Sequence, residues 1–272
     1  MNNSTDFAEI NEIKDLDQKL LRSKKAFKKG EVLSSFAKSI RVREVTYLTV
    51  QLFENDHISL RPEYLQYINH SCDPNSFFDV DSMNLIALKD IKIGEELTFF
   101  YPSTEWEMVQ PFDCFCKSEK CLSRIEGASK IKIDTLKKYQ LSSFISQKAG
   151  FCPCGSNDLF SYCCQPKVEG LKKANTAEEL MRSRYSAYAV SVIDYLIETT
   201  YKTLRNDQSY KEIEQWSKEN RWQKLEILNT TEDKVEFKAY FLDNSNQQQI
   251  HHEKSTFIFE NGSWFYSKGE FI

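Results

Sequence analysis

The sequence predicts a mixed fold with two domains, a mainly-β domain followed by an α+β domain. The chain has 272 residues, which is long for one domain and long enough to bury two modest cores. In the first half, short apolar runs of strand type alternate with tight turns. In the second half, a helical pattern precedes several runs with strand alternation. Helices followed by an antiparallel sheet are typical of an α+β domain.

The first-half elements follow from two similar turns. Lys28-Lys29-Gly30-Glu31 leads into an apolar strand, and Lys92-Ile93-Gly94-Glu95 leads into the run Glu96–Tyr101. Between them, Phe77–Val80 and Leu85–Leu88 also have strand composition. We therefore expect small sheets joined by tight turns.

The second-half elements begin after a connector at 127–150 that carries a helical pattern. Thr176-Ala177-Glu178-Glu179 has the form of a capping box and predicts a helix start, and a shorter helix begins near Asp194. Val235, Phe237, Ala239 and Phe241 alternate as one face of a strand. Asn261-Gly262 between two aromatic runs predicts a hairpin.

Composition and charge limit the class of function. Hydrophobic residues make up 40% of the chain and charged residues 28%, which are ordinary values for a globular protein. A formal net charge of -4 removes the strongest sequence argument for a nucleic-acid groove or an anionic membrane surface. Residues 1–17 have no basic segment followed by an apolar core, and no stretch reaches the length of a membrane span. We expect a cytoplasmic protein without nucleic-acid or membrane partners.

The eight cysteines divide into two sets of four. One set is Cys152, Cys154, Cys163 and Cys164, whose close spacing suits four thiolates on tetrahedral zinc and makes disulfides within either pair awkward. Four structural free thiols are the alternative. The prediction is a second-half zinc site.

The other set consists of Cys114, Cys116 and Cys121, close together, and the distant Cys72. Three thiolates need a fourth ligand, and Cys72 is the one cysteine left over. Cys72 could instead be buried as a small hydrophobic residue. If it is a ligand, zinc ties the segment after Tyr101 back to the Cys72 loop.

Three motifs in this half carry a family resemblance. Asn69-His70-Ser71-Cys72-Asp73-Pro74-Asn75, then Gly94–Tyr101, then the Cys114–Cys121 run resemble a SET domain with its post-SET zinc segment, over roughly Leu20 to Glu126. The resemblance implies small β-sheets with one segment threaded through a loop. It also implies a protein-lysine methyltransferase that uses S-adenosylmethionine as cofactor and a protein substrate as partner.

The same resemblance implies roles for individual residues. Asn69 and the backbone of His70 would hold the adenine end of the cofactor, and Tyr101 would stand where methyl transfer occurs. Phe99, which shares a strand face with Tyr101, would wall the lysine channel, and Tyr47 would add a further aromatic wall. Alternatively, these aromatic side chains all belong to the core. The segment Asp17–Ser23 lacks the glycines that usually approach the cofactor's amino-acid end.

A second resemblance covers Phe151 to the end. Cys152-Pro153-Cys154-Gly155-Ser156 with Cys163-Cys164 looks like the SEC-C zinc motif, and Leu180–Tyr188 with Asp194–Leu196 is similar to YchJ-like proteins. The resemblance implies a cone-shaped fold of the nuclear transport factor type, a curved sheet wrapped by helices. Arg182 and Arg184 could face a pocket or be surface charges. His251 and His252 are expected to be solvent residues.

These inferences divide the chain and order its possible functions. The segments are an N-terminal extension (1–19), a SET domain (20–113), a post-SET zinc segment (114–126), a connector (127–150), a SEC-C-like zinc motif (151–166) and a YchJ-like α+β domain (167–272). The leading hypothesis is a lysine methyltransferase with two zinc ions whose last domain recruits a substrate or partner. The alternatives are a non-catalytic zinc adaptor and an activity located in the cone-shaped domain.

Overall fold

The structure is a computed structural model that describes residues 6–13, 18–41, 45–205 and 209–272. The chain divides into two compact units, Met1–Ile145 and Ser146–Ile272. The predicted extension 1–19 lies partly outside the described residues. None of the described helices is long and apolar enough to cross a membrane.

The first unit is built from short strands in small sheets, as the sequence predicts. Its sheets are β1-β2, β3-β9-β8, β4-β6-β5, the parallel pair β7-β10 and the pair β11-β12. The strands are β1 Ala8–Ile13, β2 Gln18–Ser23, β3 Val32–Ser35, β4 Ala37–Arg41, β5 Thr49–Phe53, β6 Asp56–Arg61, β7 Asn69–His70, β8 Ser76–Asp79, β9 Asn84–Ala87, β10 Thr98–Phe99, β11 Phe112–Asp113 and β12 Arg124–Ile125.

Five short helical segments of the described residues complete this unit and lead into the next. The 3-10 helices are Glu63–Tyr67, Tyr101–Ser103 and Ala128–Lys130, and the α-helices are α1 Ile133–Leu136 and α2 Ser143–Lys148, which reaches across the boundary of the unit. The core between the sheets contains Leu21, Ile58, Phe78, Leu85 and Leu97, each almost fully buried. Burial of such side chains is the main stabilising contribution in a unit with so little regular structure.

The two similar turns are confirmed in detail. Gly30 and Gly94 have φ angles of 89° and 79°, in the left-handed region that favours glycine. In each turn the glutamate accepts a backbone hydrogen bond, Glu31 from Lys28 N at 2.7 Å and Glu95 from Lys92 N at 2.9 Å. The same local sequence therefore builds the same turn twice.

The second unit is the predicted α+β arrangement. After a 3-10 helix at Phe160–Tyr162, its helices are α3 Gln165–Val168, α4 Ala177–Ala189, α5 Ile193–Glu198, α6 Lys202–Arg205 and α7 Tyr210–Glu219. The antiparallel sheet β13-β14-β15-β16 follows in chain order. Its strands are β13 Arg221–Thr230, β14 Lys234–Leu242, β15 Gln248–Glu260 and β16 Ser263–Phe271.

Local signals position these elements. The Thr176 hydroxyl accepts a hydrogen bond from Glu179 N at 3.1 Å, which confirms the capped start of α4. In β14 every second side chain is buried, starting with Val235, and this face joins the core of the unit with α4. Asn261 and Gly262 both have positive φ in the turn between β15 and β16, so the hairpin is confirmed.

The expectation that His251 and His252 are solvent residues is wrong. Their side chains are 22% and 21% exposed, and each contacts a glutamate across or along the sheet. His251 Nε2 lies 2.7 Å from Glu253, and His252 Nε2 lies 3.0 Å from Glu236. Because the neighbouring residues are polar, the sequence did not indicate that both histidines lie in strand β15 and contact glutamates.

Candidate functional site

The predicted cofactor motif and the predicted catalytic motif meet in a two-residue parallel pairing. Asn69 pairs with Thr98 and His70 pairs with Phe99 in strands β7 and β10. This pairing aligns two segments that are about thirty residues apart in sequence, and it places Tyr101 directly beyond the paired strands.

Tyr101 lies at a small cavity of about 40 Å³ together with the other predicted channel residues. Phe99 lines the same cavity, with its ring 4.6 Å from the ring of Tyr101, while Phe100 faces the other way and stacks on Tyr139 at 3.7 Å. Tyr47 also lines the cavity but is 69% exposed, which places it at the mouth. Phe99 and Tyr101 therefore share one face, as their spacing predicts.

The Tyr101 hydroxyl is oriented by the backbone. It donates a hydrogen bond to the carbonyl oxygen of Ile68 at 3.3 Å, so its oxygen lone pairs remain able to accept one. Burial raises the pKa of Tyr101 above its ordinary value, and the hydroxyl is neutral over the physiological range.

Four cysteines of the first unit form one cluster. The Sγ atoms of Cys72, Cys114, Cys116 and Cys121 lie within 4.8 Å of one another, and those of Cys72 and Cys114 are 3.9 Å apart. Four thiolates about 2.3 Å from one zinc ion lie about 3.8 Å apart, so this donor set fits tetrahedral zinc. The fold brings Cys72 to the three clustered cysteines, as the ligand alternative requires.

The cysteine set of the second unit has the same geometry. Cys152, Cys154, Cys163 and Cys164 also have their Sγ atoms within 4.8 Å, with 3.7 Å between Cys154 and Cys163 and 3.8 Å between Cys163 and Cys164. Arg182 stabilises the loop that holds these cysteines. Its guanidinium donates a hydrogen bond to the carbonyl oxygen of Cys154 at 2.9 Å and forms an ion pair with Glu178. This cysteine set also fits zinc, and Arg182 has a structural role beside it.

The His70 side chain links the first cysteine cluster to Tyr101. Its Nδ1 accepts a hydrogen bond from Tyr101 N at 3.2 Å, and its Nε2 lies 3.3 Å from Cys72 Sγ. Because Nδ1 accepts, the proton of the neutral ring is on Nε2 and points at the sulfur, as expected beside a metal-bound thiolate. Burial lowers the pKa of His70 to about 4, consistent with a neutral ring. The sequence indicated only a backbone role for His70.

The residues around Asn69 fit the S-adenosylmethionine that the fold implies. The Asn69 amide nitrogen donates to the Lys19 carbonyl oxygen at 3.2 Å and lies 3.4 Å from a Glu96 carboxylate oxygen. Within the described residues, the amide oxygen of Asn69 makes no hydrogen bond, so it is available to accept one from an amine of the cofactor. Asn69 thus lies beside strand β2, which belongs to the segment without glycines.

Glu105 is a cavity residue that the sequence reasoning missed. It lines the cavity with Tyr101, and its carboxyl accepts a hydrogen bond from Gln51 N at 2.9 Å. Burial raises the pKa of Glu105 from 4.5 to about 8. Gln51 in turn accepts from Trp106 N at 2.9 Å, so β5 holds the segment after Tyr101 in place. No local motif marks Glu105, because its surroundings come from a distant strand.

The raised pKa of Glu105 predicts a pH-dependent stability. An unfolded Glu105 ionises near pH 4.5 and the folded one near pH 8, so the folded state binds more protons between these values and stability falls as pH rises. The side chain keeps some exposure, and we expect a loss of about 1 kcal/mol from pH 5.5 to pH 7.5. Urea unfolding at both pH values should show this decrease in the free energy of unfolding for wild type and not for Glu105→Gln. Exposed Glu107→Gln is the control, and an equal pH effect in wild type and Glu105→Gln would contradict the assignment.

Two family models match separate parts of the chain. The SET domain family model matches residues 18–102, and the model for the YchJ middle NTF2-like domain matches residues 176–269. The chain thus carries both domains that its motifs resemble.

Individual relatives match somewhat less than half of the chain. Methyltransferase flvH of Aspergillus flavus is 40% identical over 126 residues, which is 46% of this chain and 70% of that protein. UPF0225 protein GSU1048 of Geobacter sulfurreducens is 40% identical over 125 residues, 43% of this chain and 77% of that protein. The solution structure of RPA3114, a SEC-C motif containing protein from Rhodopseudomonas palustris, is 35% identical and covers 44% of this chain and 98% of its own, with a TM-score of 0.42. The chain therefore belongs to the family of the UPF0225 proteins and joins its YchJ-like domain to a SET domain.

Proposed function

We propose that this protein is an S-adenosylmethionine-dependent protein-lysine N-methyltransferase. The observation that carries the proposal is the placement of the Tyr101 hydroxyl and the Phe99 ring at one cavity, directly beyond the strand pair that holds Asn69 and His70. A relative named as a methyltransferase and the SET family match support the same class of activity. The proposed lysine and protein specificity rests on the resemblance to SET domains and on the aromatic residues that line the cavity.

The chain's own residues suit each requirement of the reaction. When bound, S-adenosylmethionine supplies the sulfonium methyl group. The Asn69 amide oxygen and the His70 backbone would hold the adenine end, while Phe99 and Tyr47 would form apolar walls for a lysine stem. Such walls exclude water and align the amine with the methyl group. Tyr101 would accept a hydrogen bond from the amine without adding negative charge.

Glu105 suits this cavity because its carboxyl is neutral at physiological pH. A charged carboxylate would hold the substrate amine as ammonium, which has no lone pair to attack with. A raised pKa avoids this below about pH 8. The neutral carboxyl would hold the channel wall in place by accepting the hydrogen bond from Gln51 N. The substrate amine would lose its proton to solvent.

Cofactor binding is the first experimental test. We expect purified protein to bind S-adenosylmethionine in calorimetry with a Kd in the micromolar range, on the order of 10 μM. Asn69→Ala should weaken binding about tenfold, which corresponds to one lost hydrogen bond to a charged or polar group. Asn244→Ala, in the loop between β14 and β15, is the matched control. Absence of any heat from wild type would favour the non-catalytic adaptor instead.

A further inference from the structure

The second unit contains a cavity of about 220 Å³, which is larger than the cavity of about 40 Å³ beside Tyr101. It lies between α4, α7 and the sheet, and its walls are mainly aromatic, with Tyr188, Trp216, Trp222, Phe237 and Phe271 among them. Ligand pockets in proteins typically measure about 300 to 1,000 Å³ and combine apolar walls with a few convergent polar groups. This cavity therefore suits a small, flat molecule.

Arg184 of α4 brings a positive charge to the cavity wall. The residue is 5% exposed, and its Nη1 donates to the Leu196 carbonyl oxygen and to the Thr199 hydroxyl, both at 2.7 Å. Both acceptors are neutral. Its guanidinium carbon also lies 4.9 Å from the centre of the Tyr266 ring. Of the two arginines considered from the sequence, Arg184 faces the pocket.

The charge of Arg184 has no anionic partner in the described part of the chain. None of the acidic side chains there lies within ion-pair distance of its guanidinium, and its Nε and Nη2 make no hydrogen bond to a described residue. A buried charge without a counter-charge is unfavourable unless something else compensates it. Two nitrogen atoms with free N–H groups at a cavity wall match the two oxygens of a carboxylate.

Glu253, the acidic residue that lines the same cavity, already has hydrogen-bond partners. Glu253 accepts hydrogen bonds from Ser255 at 2.5 Å and from Tyr266 at 3.2 Å, and it contacts His251 at 2.7 Å. Burial acts to raise the pKa of Glu253, but the hydrogen bonds from His251 and Ser255 outweigh it and lower the pKa. Glu253 therefore has its own three partners and leaves Arg184 uncompensated.

We propose that this cavity is a binding site for a small organic carboxylate with a flat, aromatic or unsaturated body. Its carboxylate would pair with the Nε and Nη2 groups of Arg184, and its body would lie against the aromatic walls. The site belongs to the second unit alone and does not depend on methyl transfer. It gives the YchJ-like half a ligand-dependent role.

The test uses full-length protein with three probes, benzoate, phenylacetate and cinnamate. Binding is measured by quenching of tryptophan fluorescence, since Trp216 and Trp222 line the cavity, and by saturation-transfer NMR. We expect at least one carboxylate to bind with a Kd on the order of 1 mM, as suits a fragment of this size. The corresponding alcohol and amine should bind at least about tenfold more weakly.

Variants separate the charge from the cavity. Arg184→Met should abolish the preference for carboxylates, and Ala239→Met should fill the cavity and abolish binding without removing the charge. Arg205→Met, which changes a half-buried arginine of the same unit that does not line the cavity, should bind like wild type. The proposal is overturned if no carboxylate binds, if the alcohols or amines bind equally well, or if folded Ala239→Met still binds.

Discussion

Replacement of Tyr101 by phenylalanine is expected to lower the rate of methyl transfer about 100-fold or more, with cofactor affinity nearly unchanged. The substitution removes the hydroxyl that donates to Ile68 O and that would accept from the substrate amine, while the ring and its contact with Phe99 remain. Loss of a hydrogen-bonding group positioned at the reacting atoms typically costs about 100-fold or more in rate. Radiolabel transfer from S-adenosylmethionine to protein, with calorimetry in parallel, measures both quantities.

Controls make the Tyr101 result specific. Tyr162→Phe removes a hydroxyl from an exposed tyrosine of the second unit and should leave transfer unchanged. Melting temperature should be similar for both variants, because only one polar atom is lost. Wild-type transfer rates in Tyr101→Phe would exclude the proposed role of the hydroxyl.

The second large effect is expected from Cys72→Ser. The variant should retain about one zinc equivalent in place of two, and it should lose cofactor binding and transfer, because Cys72 joins the metal site to the strand β7. His70 extends this link, with Nε2 3.3 Å from Cys72 Sγ and Nδ1 bonded to Tyr101 N. Loss of zinc would therefore disturb the backbone beside Tyr101.

Cys154→Ser is the matched comparison. It should also lose one zinc equivalent, since Cys154 belongs to the other cluster, but cofactor binding should persist because that cluster lies in the second unit. Metal content by atomic emission and binding by calorimetry distinguish the two variants. Equal loss of cofactor binding in both would show that the zinc sites are not independent.

The connector at 127–150 makes contacts that its sequence did not indicate. Its helical pattern was predicted, and α1 and α2 are present, but the pattern did not reveal the contacts of Tyr139. The Tyr139 hydroxyl donates to the Cys72 carbonyl oxygen at 2.9 Å, and its ring stacks on Phe100. A segment expected only to join two domains therefore supports the metal loop of the first.

Helix α7 was not predicted, although Ser209 caps it through a hydrogen bond from Glu212 N at 3.3 Å. The Ser-x-x-Glu pattern could have marked its start. The helix matters because it supplies Trp216 to the large cavity. Because Trp216 stands among polar residues, the sequence did not indicate that it would line a cavity.

The sequence by itself determined the features that depend on residues close together in the chain. These are the two Lys-x-Gly-Glu turns, the capped start of α4, the Asn261-Gly262 hairpin and the grouping of seven of the eight cysteines. Each follows from local backbone geometry or ligand spacing, which a few residues settle among themselves.

Only the tertiary structure decided which distant groups meet. Cys72 reaches Cys114 across 42 residues, burial raises the pKa of Glu105, and Arg184 comes to a cavity wall without an acidic partner among the described residues. Such environments arise from long-range strand pairing and from burial, which raise or lower the energy of a charge without any local signal. The chemistry proposed for both cavities depends on these meetings.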